Sequence, residues 1–233
     1  MIRPVLAATL KRGIAPEPVS PNIWSAIPTA DRAAAYDPMA RAYDVLIGNT
    51  VYNKLVWGNW SKLYRDVAQE AIRDAPDGPI LDCGCGSLIF TEPAYRAAPL
   101  DRMILFDRSL GMMERGARRI PSATFLQGDA LALPFVDDSF ALTMSWGLAH
   151  IFGSTSPLFA ELRRVTMLKG RVIVSMLVLA DRVPGDWVLP QLAKRGEIAT
   201  PERAEAAMYA FAKHFTLESE TLRGNMLFLS GRA

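Results

Sequence analysis

The chain has 233 residues, which suits one medium-sized domain with additions better than two full domains. Half of the residues are hydrophobic, which excludes disorder as the main character, and 26 basic against 24 acidic residues are too balanced for a nucleic-acid binder. No apolar run reaches the roughly 18 residues of a membrane span, and the apolar stretch 5–10 is shorter than the core of a signal peptide. We therefore expect a soluble cytoplasmic protein, monomeric or homodimeric.

Residues 1–35 are predicted to form an N-terminal arm. Five prolines between Pro4 and Pro28 exclude a long helix there. The apolar residues near the end of this segment indicate that it docks on another part of the protein or on a partner.

A helical cap is predicted over residues 36–75. Asp37 followed by proline is typical of a helix start, which predicts a short helix over 39–47. Apolar residues then recur every three or four positions from Tyr52 to Ile72, the spacing of one long helix.

From Ile80 onwards, short apolar runs of strand length alternate with helical stretches. Such alternation is typical of right-handed βαβ units, which build a parallel sheet covered by helices on both faces. Strands are predicted at 80–83, 102–106, 123–127, 140–145 and 171–179, and helices at 88–97, 109–119 and 156–168, the last with Gly170 as its C-terminal cap. A terminal hairpin is predicted from 214–221 and 225–231, preceded by an inserted lid at 181–213 whose helix starts at Thr200-Pro201.

The most informative motif is a glycine-rich turn after the first of these strands. The sequence Ile-Leu-Asp82-Cys-Gly84-Cys85-Gly86-Ser runs from an apolar strand into a turn and a helix start. Glycines let the backbone approach a ligand closely, and a helix start offers free N–H groups. A tight turn without a ligand is the alternative, as is a nicotinamide-dinucleotide site, whose Gly-x-Gly-x-x-Gly pattern would need glycine where Ile89 stands.

This turn resembles motif I of the class I S-adenosylmethionine-dependent methyltransferases, Asp/Glu-x-Gly-x-Gly-x-Gly, with Leu88 in place of the third glycine. A second match follows the next strand, where the family's acidic residue binds the ribose hydroxyls. Here it is Asp107, in the stretch Asp-Arg108-Ser-Leu-Gly-Met112-Met. The resemblance implies that these residues contact the cofactor.

A third match separates this family from nicotinamide-binding proteins. The run Gln-Gly128-Asp129-Ala130-Leu-Ala-Leu-Pro-Phe-Val-Asp-Asp-Ser-Phe is similar to the family's Gly-Asp-Ala-x-x-Leu-Pro-Phe-x-Asp-x-Ser-Phe-Asp. In the family, this aspartate accepts from the adenine amino group. The stretch 161–174 resembles a fourth family pattern, Glu-x-x-Arg-Val-Leu-Lys-Pro-Gly-Gly.

The resemblance covers about residues 36–179 and implies a methyltransferase domain over 36–233. Its fold would be Rossmann-like α/β, a doubly wound sheet of seven strands. Numbered along the chain, those strands would take the order 3-2-1-4-5-7-6, with strand seven antiparallel. The implied cofactor is S-adenosyl-L-methionine.

Residues 36–44 resemble the opening Tyr-Asp-x-x-Ala-x-x-Tyr-Asp of the branch that includes ubiquinone and menaquinone biosynthesis methyltransferases. In that branch the segment covers the cofactor, and a tyrosine reaches its carboxylate. This implies a contact from Tyr43. The alternative is that Tyr36 and Tyr43 are core aromatics of a helix pair.

The loop after the fourth strand of the predicted sheet is the expected acceptor site, since ligands bind outside the carboxyl ends of strands. It reads Ser145-Trp146-Gly-Leu-Ala149-His150-Ile, where relatives often have Gly-Leu-His-His-Ile. The resemblance places the first two residues at the cofactor. His150 is our candidate catalytic residue, as a general base or an acceptor-orienting group, and a structural histidine is the alternative.

The sequence therefore predicts methyl transfer to a small molecule, with an aromatic, quinone-like or natural-product O or C atom as acceptor. One rival is a protein that keeps the cofactor site without methylating, such as a cyclase or a binding module. Another is a tRNA or protein methyltransferase, although no basic cluster supports it. Cys83 and Cys85 lack the further ligands that a metal site or thiol chemistry would need, so no metal is expected.

Overall fold

The computed structural model describes residues 2–34, 37, 44–45 and 48–233. Its helices are α1 (Pro4–Thr9), α2 (Thr50–Tyr52), which continues as a π-helical turn (Asn53–Trp57), α3 (Ser61–Arg73), α4 (Glu92–Tyr95), α5 (Leu110–Arg119), α6 (Ser156–Val165), α7 (Gly185–Lys194) and α8 (Ala204–Ala212). Its strands are β1 (Glu17–Ser20), β2 (Ile23–Ser25), β3 (Ile80–Cys83), β4 (Met103–Asp107), β5 (Thr124–Gln127), β6 (Phe140–Trp146), β7 (Thr166–Leu177), β8 (Thr216–Arg223) and β9 (Met226–Arg232).

The sheet has nine strands in the order β1-β2-β5-β4-β3-β6-β7-β9-β8, so the prediction of seven strands is wrong in number. The two additional strands come from the proline-rich N-terminal segment. There β2 pairs in parallel with β5, with Trp24 opposite Leu126, and β1 pairs with β2 in the antiparallel sense. At the other end, β9 runs antiparallel to both β7 and β8. The fold is a Rossmann-like α/β fold.

The central strands are buried on both faces, which explains their continuous apolar sequences. Successive side chains point to opposite faces, so Ile80 and Leu81 enter different core clusters. Phe159 of α6 packs on the side of Leu81, and Met113 of α5 packs on the side of Ile80. Helices therefore cover both faces and leave the carboxyl ends of the strands free to build a site.

The helix predicted over 88–97 is wrong in length, because only Glu92–Tyr95 is helical. Leu88 is buried and has a φ of +62°, in the left-handed region that a right-handed helix does not use. The helix predicted over 109–119 is confirmed as α5, and the Ser109 hydroxyl caps it by accepting from the Met112 N–H at 3.2 Å.

The helix predicted over 156–168 ends three residues early, because β7 already begins at Thr166. The hydroxyl of Thr166 donates to the Leu162 carbonyl at 2.6 Å and lies 2.9 Å from the Thr143 hydroxyl of β6. Gly170 lies inside the strand, so its prediction as a helix cap is wrong. A Cβ there would lie 2.8 Å from the Met167 carbonyl oxygen, which explains the need for glycine.

The predicted long N-terminal helix is interrupted at Gly58, which has a φ of +71° and separates the π-helical turn from α3. The insertion holds two helices, α7 and α8, and the second starts at Ala204 and not at the predicted Thr200-Pro201. The terminal hairpin is confirmed, with Gly224 left-handed at its turn. Across the described ranges, no helix is long and apolar enough to cross a bilayer.

Candidate active site

The carboxyl ends of β3, β4, β5 and β6 meet along one edge of the sheet, where open α/β folds bind their ligands. The glycine-rich turn follows β3 there. Gly84 has a φ of +82°, and a Cβ would lie 2.8 Å from the Leu148 side chain, so this position excludes larger residues. Gly86 has a φ of +55°, and a Cβ there would meet nothing within 4 Å. The turn is therefore packed at its first glycine and open at its second.

Asp82, at the end of β3, is fully buried. One carboxyl oxygen accepts from the Tyr95 hydroxyl at 2.8 Å, and the other has no hydrogen-bond partner among the described residues. Burial raises the pKa of Asp82 to about 8. The indole N–H of Trp146 donates to the same Tyr95 oxygen at 2.9 Å. Tyr95 thus joins the motif I aspartate to the end of β6, a link for which the sequence holds no motif.

Asp107, at the end of β4, accepts from two backbone N–H groups. The donors are Gly86 at 2.7 Å and Ser109 at 2.8 Å, one to each carboxylate oxygen. Desolvation raises the pKa of Asp107, and the backbone hydrogen bonds oppose that rise. The carboxylate is therefore held in one orientation beside the open face of the glycine-rich turn.

Two aspartates of the 36–44 motif contact this same region. Asp37 accepts from the Ser109 hydroxyl at 2.6 Å and from the Gly111 N–H at 3.0 Å. Asp44 is buried and accepts from the Ser87 hydroxyl, from Arg115 at 2.6 Å and from Arg119 at 2.8 Å.

Although burial acts in the opposite direction, these hydrogen bonds hold the pKa of both carboxyls below its ordinary value. The N-terminal segment is thereby fastened over α5 and the glycine-rich turn. Tyr36 and Tyr43 lie outside the described residues, and so does most of the helix predicted over 39–47.

The loop after β5 holds the third set of predicted cofactor residues. Gly128 packs under the Phe106 ring, where a Cβ would lie 2.4 Å from a ring carbon. Asp129 is exposed and accepts from the Leu131 N–H at 2.9 Å, and Ala130 is buried beside it. A cavity of about 250 Å³ separates this loop from the N-terminal segment; its lining includes Asp129 and Lys11.

Arg108 and Met112, two of the predicted cofactor contacts, have partners within the protein. Arg108 donates to the backbone carbonyls of Asp31 and Arg32, so its guanidinium fastens the N-terminal segment to the sheet. Met112 is buried in the first turn of α5, where its N–H is capped by Ser109. The contact made by Arg108 leaves no local sequence pattern, because its partners lie about 76 residues away along the chain.

Ser145 and Trp146 are the last two residues of β6, and the loop that follows carries His150. The buried hydroxyl of Ser145 has no hydrogen-bond partner among the described residues. His150 Nδ1 accepts from the Leu177 backbone N–H at 3.1 Å, and burial lowers the pKa of this histidine to about 4. The imidazole is therefore neutral at pH 7 and braces the end of β7, which agrees with the structural alternative considered for it.

An aromatic cluster stands beside this loop. Tyr64 of α3 stacks on Phe90 with ring centroids 4.7 Å apart, and meets Phe228 at 5.4 Å and Trp146 at 6.5 Å edge-on. Trp57 is buried in the same cluster, together with Leu177 and Met226 and with Leu189 of the insertion. The cluster therefore joins the N-terminal helices, the insertion and the ends of β7 and β9.

Cys83 and Cys85 are both buried. Burial raises the pKa of Cys83 and of Cys85 well above the ordinary value, so both thiols stay protonated. No group of three or more potential metal ligands occurs among the described residues. Cys85 contributes its buried side chain to the packing below the glycine-rich turn.

Residues 80–170 match a family model described as a methyltransferase domain. The demethylmenaquinone methyltransferase of Renibacterium salmoninarum is 36% identical over 144 residues, which cover 61% of this chain and 57% of that enzyme. The chain spans less than two thirds of the length of the curated relatives it matches.

Two solved structures share the fold. A geranyl diphosphate methyltransferase in complex with GPP and sinefungin has a TM-score of 0.60 and 15% identity, over 73% of this chain and 76% of that one. The 4+2 cyclase SpnF has a TM-score of 0.63 and 15% identity, over 86% of this chain and 96% of that one. At such identities, the likeness shows the fold alone.

Proposed function

Because residues 80–170 form a methyltransferase domain of the class I, S-adenosylmethionine-dependent kind, we propose that the protein transfers a methyl group from this cofactor to a small, quinone-like aromatic acceptor. The observation that carries the proposal is the contact between Asp107 and the N–H of Gly86, at a turn that is open on its Gly86 side, together with the buried Asp82, one oxygen of which has no partner among the described residues.

The donor set fits the polar groups of S-adenosylmethionine. The two oxygens of the Asp107 carboxylate accept from the N–H groups of Gly86 and Ser109, and a carboxylate oxygen has room for a further donor, so a ribose diol can be bound. The free oxygen of Asp82 and the free hydroxyl of Ser145 suit the ammonium and carboxylate of the methionine end. The open face of Gly86 leaves space for the chain that joins them.

The adenine end is assigned to the loop after β5. Asp129 is exposed beside a cavity and has one oxygen that accepts from the Leu131 N–H, so its carboxylate retains capacity for the adenine amino group. Ala130 would supply an apolar contact to the ring. The contact from Tyr43 remains a prediction from the resemblance.

The cofactor, when bound, supplies a methyl group on a positively charged sulfur. The residues of this chain then have to align an acceptor with that methyl group and keep water away. The aromatic cluster around Tyr64 suits a flat, apolar acceptor, since aromatic side chains pack well on such rings. With a pKa of about 4 and Nδ1 bound to Leu177, His150 acts by positioning the loop and not by taking a proton.

Transfer of a labelled methyl group tests this function. We expect purified protein to move label from S-adenosylmethionine to 1,4-dihydroxynaphthalene, the ring of a reduced naphthoquinone, under anaerobic conditions. Asp107→Ala should remove the activity by weakening cofactor binding. A folded wild-type protein that binds the cofactor and transfers no label to oxygen-bearing aromatic acceptors would contradict the proposal.

A further inference from the structure

Asn59 is a buried polar residue for which the fold provides no partner. Its side chain is only 3% exposed, and neither the amide nitrogen nor the amide oxygen makes a hydrogen bond to any described residue. A carboxamide offers two donors and an acceptor, and burying all of them without partners is costly. Native proteins keep such groups rarely, so an unpartnered buried amide requires an explanation.

The turn that carries Asn59 is firmly held. The Trp57 carbonyl accepts from the Asn225 N–H at 2.9 Å. A Cβ on Gly224 would lie 1.9 Å from that carbonyl oxygen, so the two turns are in direct contact. Asn59 is thus presented by a fixed backbone.

The residues on either side of Asn59 belong to the aromatic cluster. Trp57 precedes it by two positions and Tyr64 follows it by five, and both are buried in the cluster that includes Trp146 at the end of β6. The unpartnered carboxamide therefore belongs to the short segment that joins Trp57 to Tyr64, two members of the aromatic cluster.

We propose that the Asn59 carboxamide is the acceptor-orienting group of the site and binds an oxygen substituent of an aromatic acceptor. The amide oxygen accepts from a ring hydroxyl, and the amide nitrogen donates to a ring hydroxyl or carbonyl. This inference rests on the proposed methyl transfer and specifies its substrate class: a flat ring that carries at least one oxygen. Tyr64 and its neighbours would bind the apolar faces of that ring.

The test compares two asparagines of equal burial. Asn53 is also 3% exposed, but its amide donates to the Asn49 carbonyl at 2.9 Å. Leucine has nearly the shape of asparagine and removes the polar atoms. We expect Asn59→Leu to unfold at the same temperature as the wild type or higher, and Asn53→Leu to unfold several degrees lower.

Binding is measured with 1,4-dihydroxynaphthalene and with naphthalene, which lacks the oxygens. Wild-type protein loaded with S-adenosylhomocysteine should prefer the diol by about tenfold or more, and Asn59→Leu should lose that preference. Its affinity for S-adenosylmethionine should stay within about twofold of wild type, because Asn59 lies outside the cofactor residues. Asn59→Ala should lose the preference for the diol in the same way, and it replaces the leucine variant if that variant folds poorly.

Two results would overturn the inference. One is a loss of thermal stability in Asn59→Leu as large as that in Asn53→Leu, which would show a structural role. The other is an undiminished preference for the diol in the variant. Failure of the proposed function is separate, since it shows as a wild-type protein that transfers no labelled methyl group.

Discussion

The edge of the sheet around β3 and β4 is held by carboxylates, whereas the region between α3, α7 and the ends of β7 and β9 is held by aromatic rings. On the first side, Asp82, Asp107 and Asp44 each accept short hydrogen bonds from groups that fix their orientation. On the second side, Tyr64 contacts the rings of Phe90, Trp146 and Phe228.

The difference reflects two kinds of ligand. A charged cofactor with a diol requires polar groups in fixed positions, and hydrogen bonds to backbone N–H groups supply them. An apolar acceptor requires a wall of suitable shape and few polar contacts. Tyr95 connects the two sides, since it bonds to both Asp82 and Trp146.

The largest effect is expected at Asp44. Asp44→Ala leaves Arg115 and Arg119 without their shared carboxylate in a partly buried place, which should lower the free energy of unfolding by about 3 kcal/mol. Affinity for S-adenosylmethionine should fall as well, because Ser87 of the glycine-rich turn loses its partner. Urea unfolding and calorimetric titration measure the two effects.

Asp74 provides the control, because its carboxylate is on the surface and pairs with its neighbour Arg73. Asp74→Ala should leave the unfolding midpoint and the cofactor affinity unchanged. Equal losses of stability and cofactor affinity in Asp44→Ala and Asp74→Ala would show that the Asp44 hydrogen bonds matter no more than a surface ion pair.

A smaller effect is expected where the two sides meet. Tyr95→Phe leaves Trp146 and Asp82 unpaired, which should cost about 2 kcal/mol of stability. The Tyr95 hydrogen bond lowers the pKa of Asp82, so the pKa should rise when that bond is lost. Cofactor affinity increases with pH as Asp82 ionises, and in the variant this increase should occur at a higher pH. Tyr209→Phe, at an exposed ring, should change neither quantity.

His150 distinguishes positioning from proton transfer. Asparagine can place its amide oxygen where Nδ1 accepts from Leu177, so His150→Asn should keep most of the turnover, and His150→Ala should lose about 1 kcal/mol of stability. A loss of about 100-fold or more in turnover by His150→Asn, with cofactor affinity intact, would establish a general base instead.

The pH dependence of stability offers an independent check on His150. Its pKa is about 4 in the folded protein and near 6.5 when unfolded, so the unfolded chain binds the proton more readily. Stability supplied by the neutral imidazole is thus complete above pH 6.5 and declines as the pH falls towards 4. The decline should be shallower in His150→Asn.

The smallest expected difference concerns Leu88. Leu88→Gly removes a buried side chain and also relieves a left-handed backbone, worth about 1 kcal/mol. Leu81→Gly removes a side chain of equal burial from an ordinary strand. The loss of unfolding free energy should therefore be about 1 kcal/mol smaller at Leu88, and equal losses would show that the turn is unstrained.

The cofactor side was largely predictable from the sequence because its residues lie in short contiguous motifs. Asp82, Gly84 and Gly86 lie within a span of five residues, and Asp107 ends the next strand. Asn59 and Tyr95 could not be found this way, since their surroundings depend on packing between distant segments.

The errors in the fold have the same origin. The pairing of β2 with β5 joins segments about 100 residues apart and leaves no local pattern. The helix predicted after the glycine-rich turn failed because Leu88 adopts a left-handed conformation that its residue type does not favour. Local propensity describes the strands well and the connections poorly.

Calorimetric titration of S-adenosylmethionine at pH 7, in two buffers of different ionisation enthalpy, measures cofactor binding together with any proton released. We expect saturable one-to-one binding with release of a proton, because Asp82 is neutral in the free protein and the cofactor's ammonium favours its carboxylate. Asp82→Asn should bind without that release, and Asp107→Ala should bind at least about 100-fold more weakly. A folded protein that shows no binding, or the same affinity in Asp107→Ala, would contradict the proposed cofactor site.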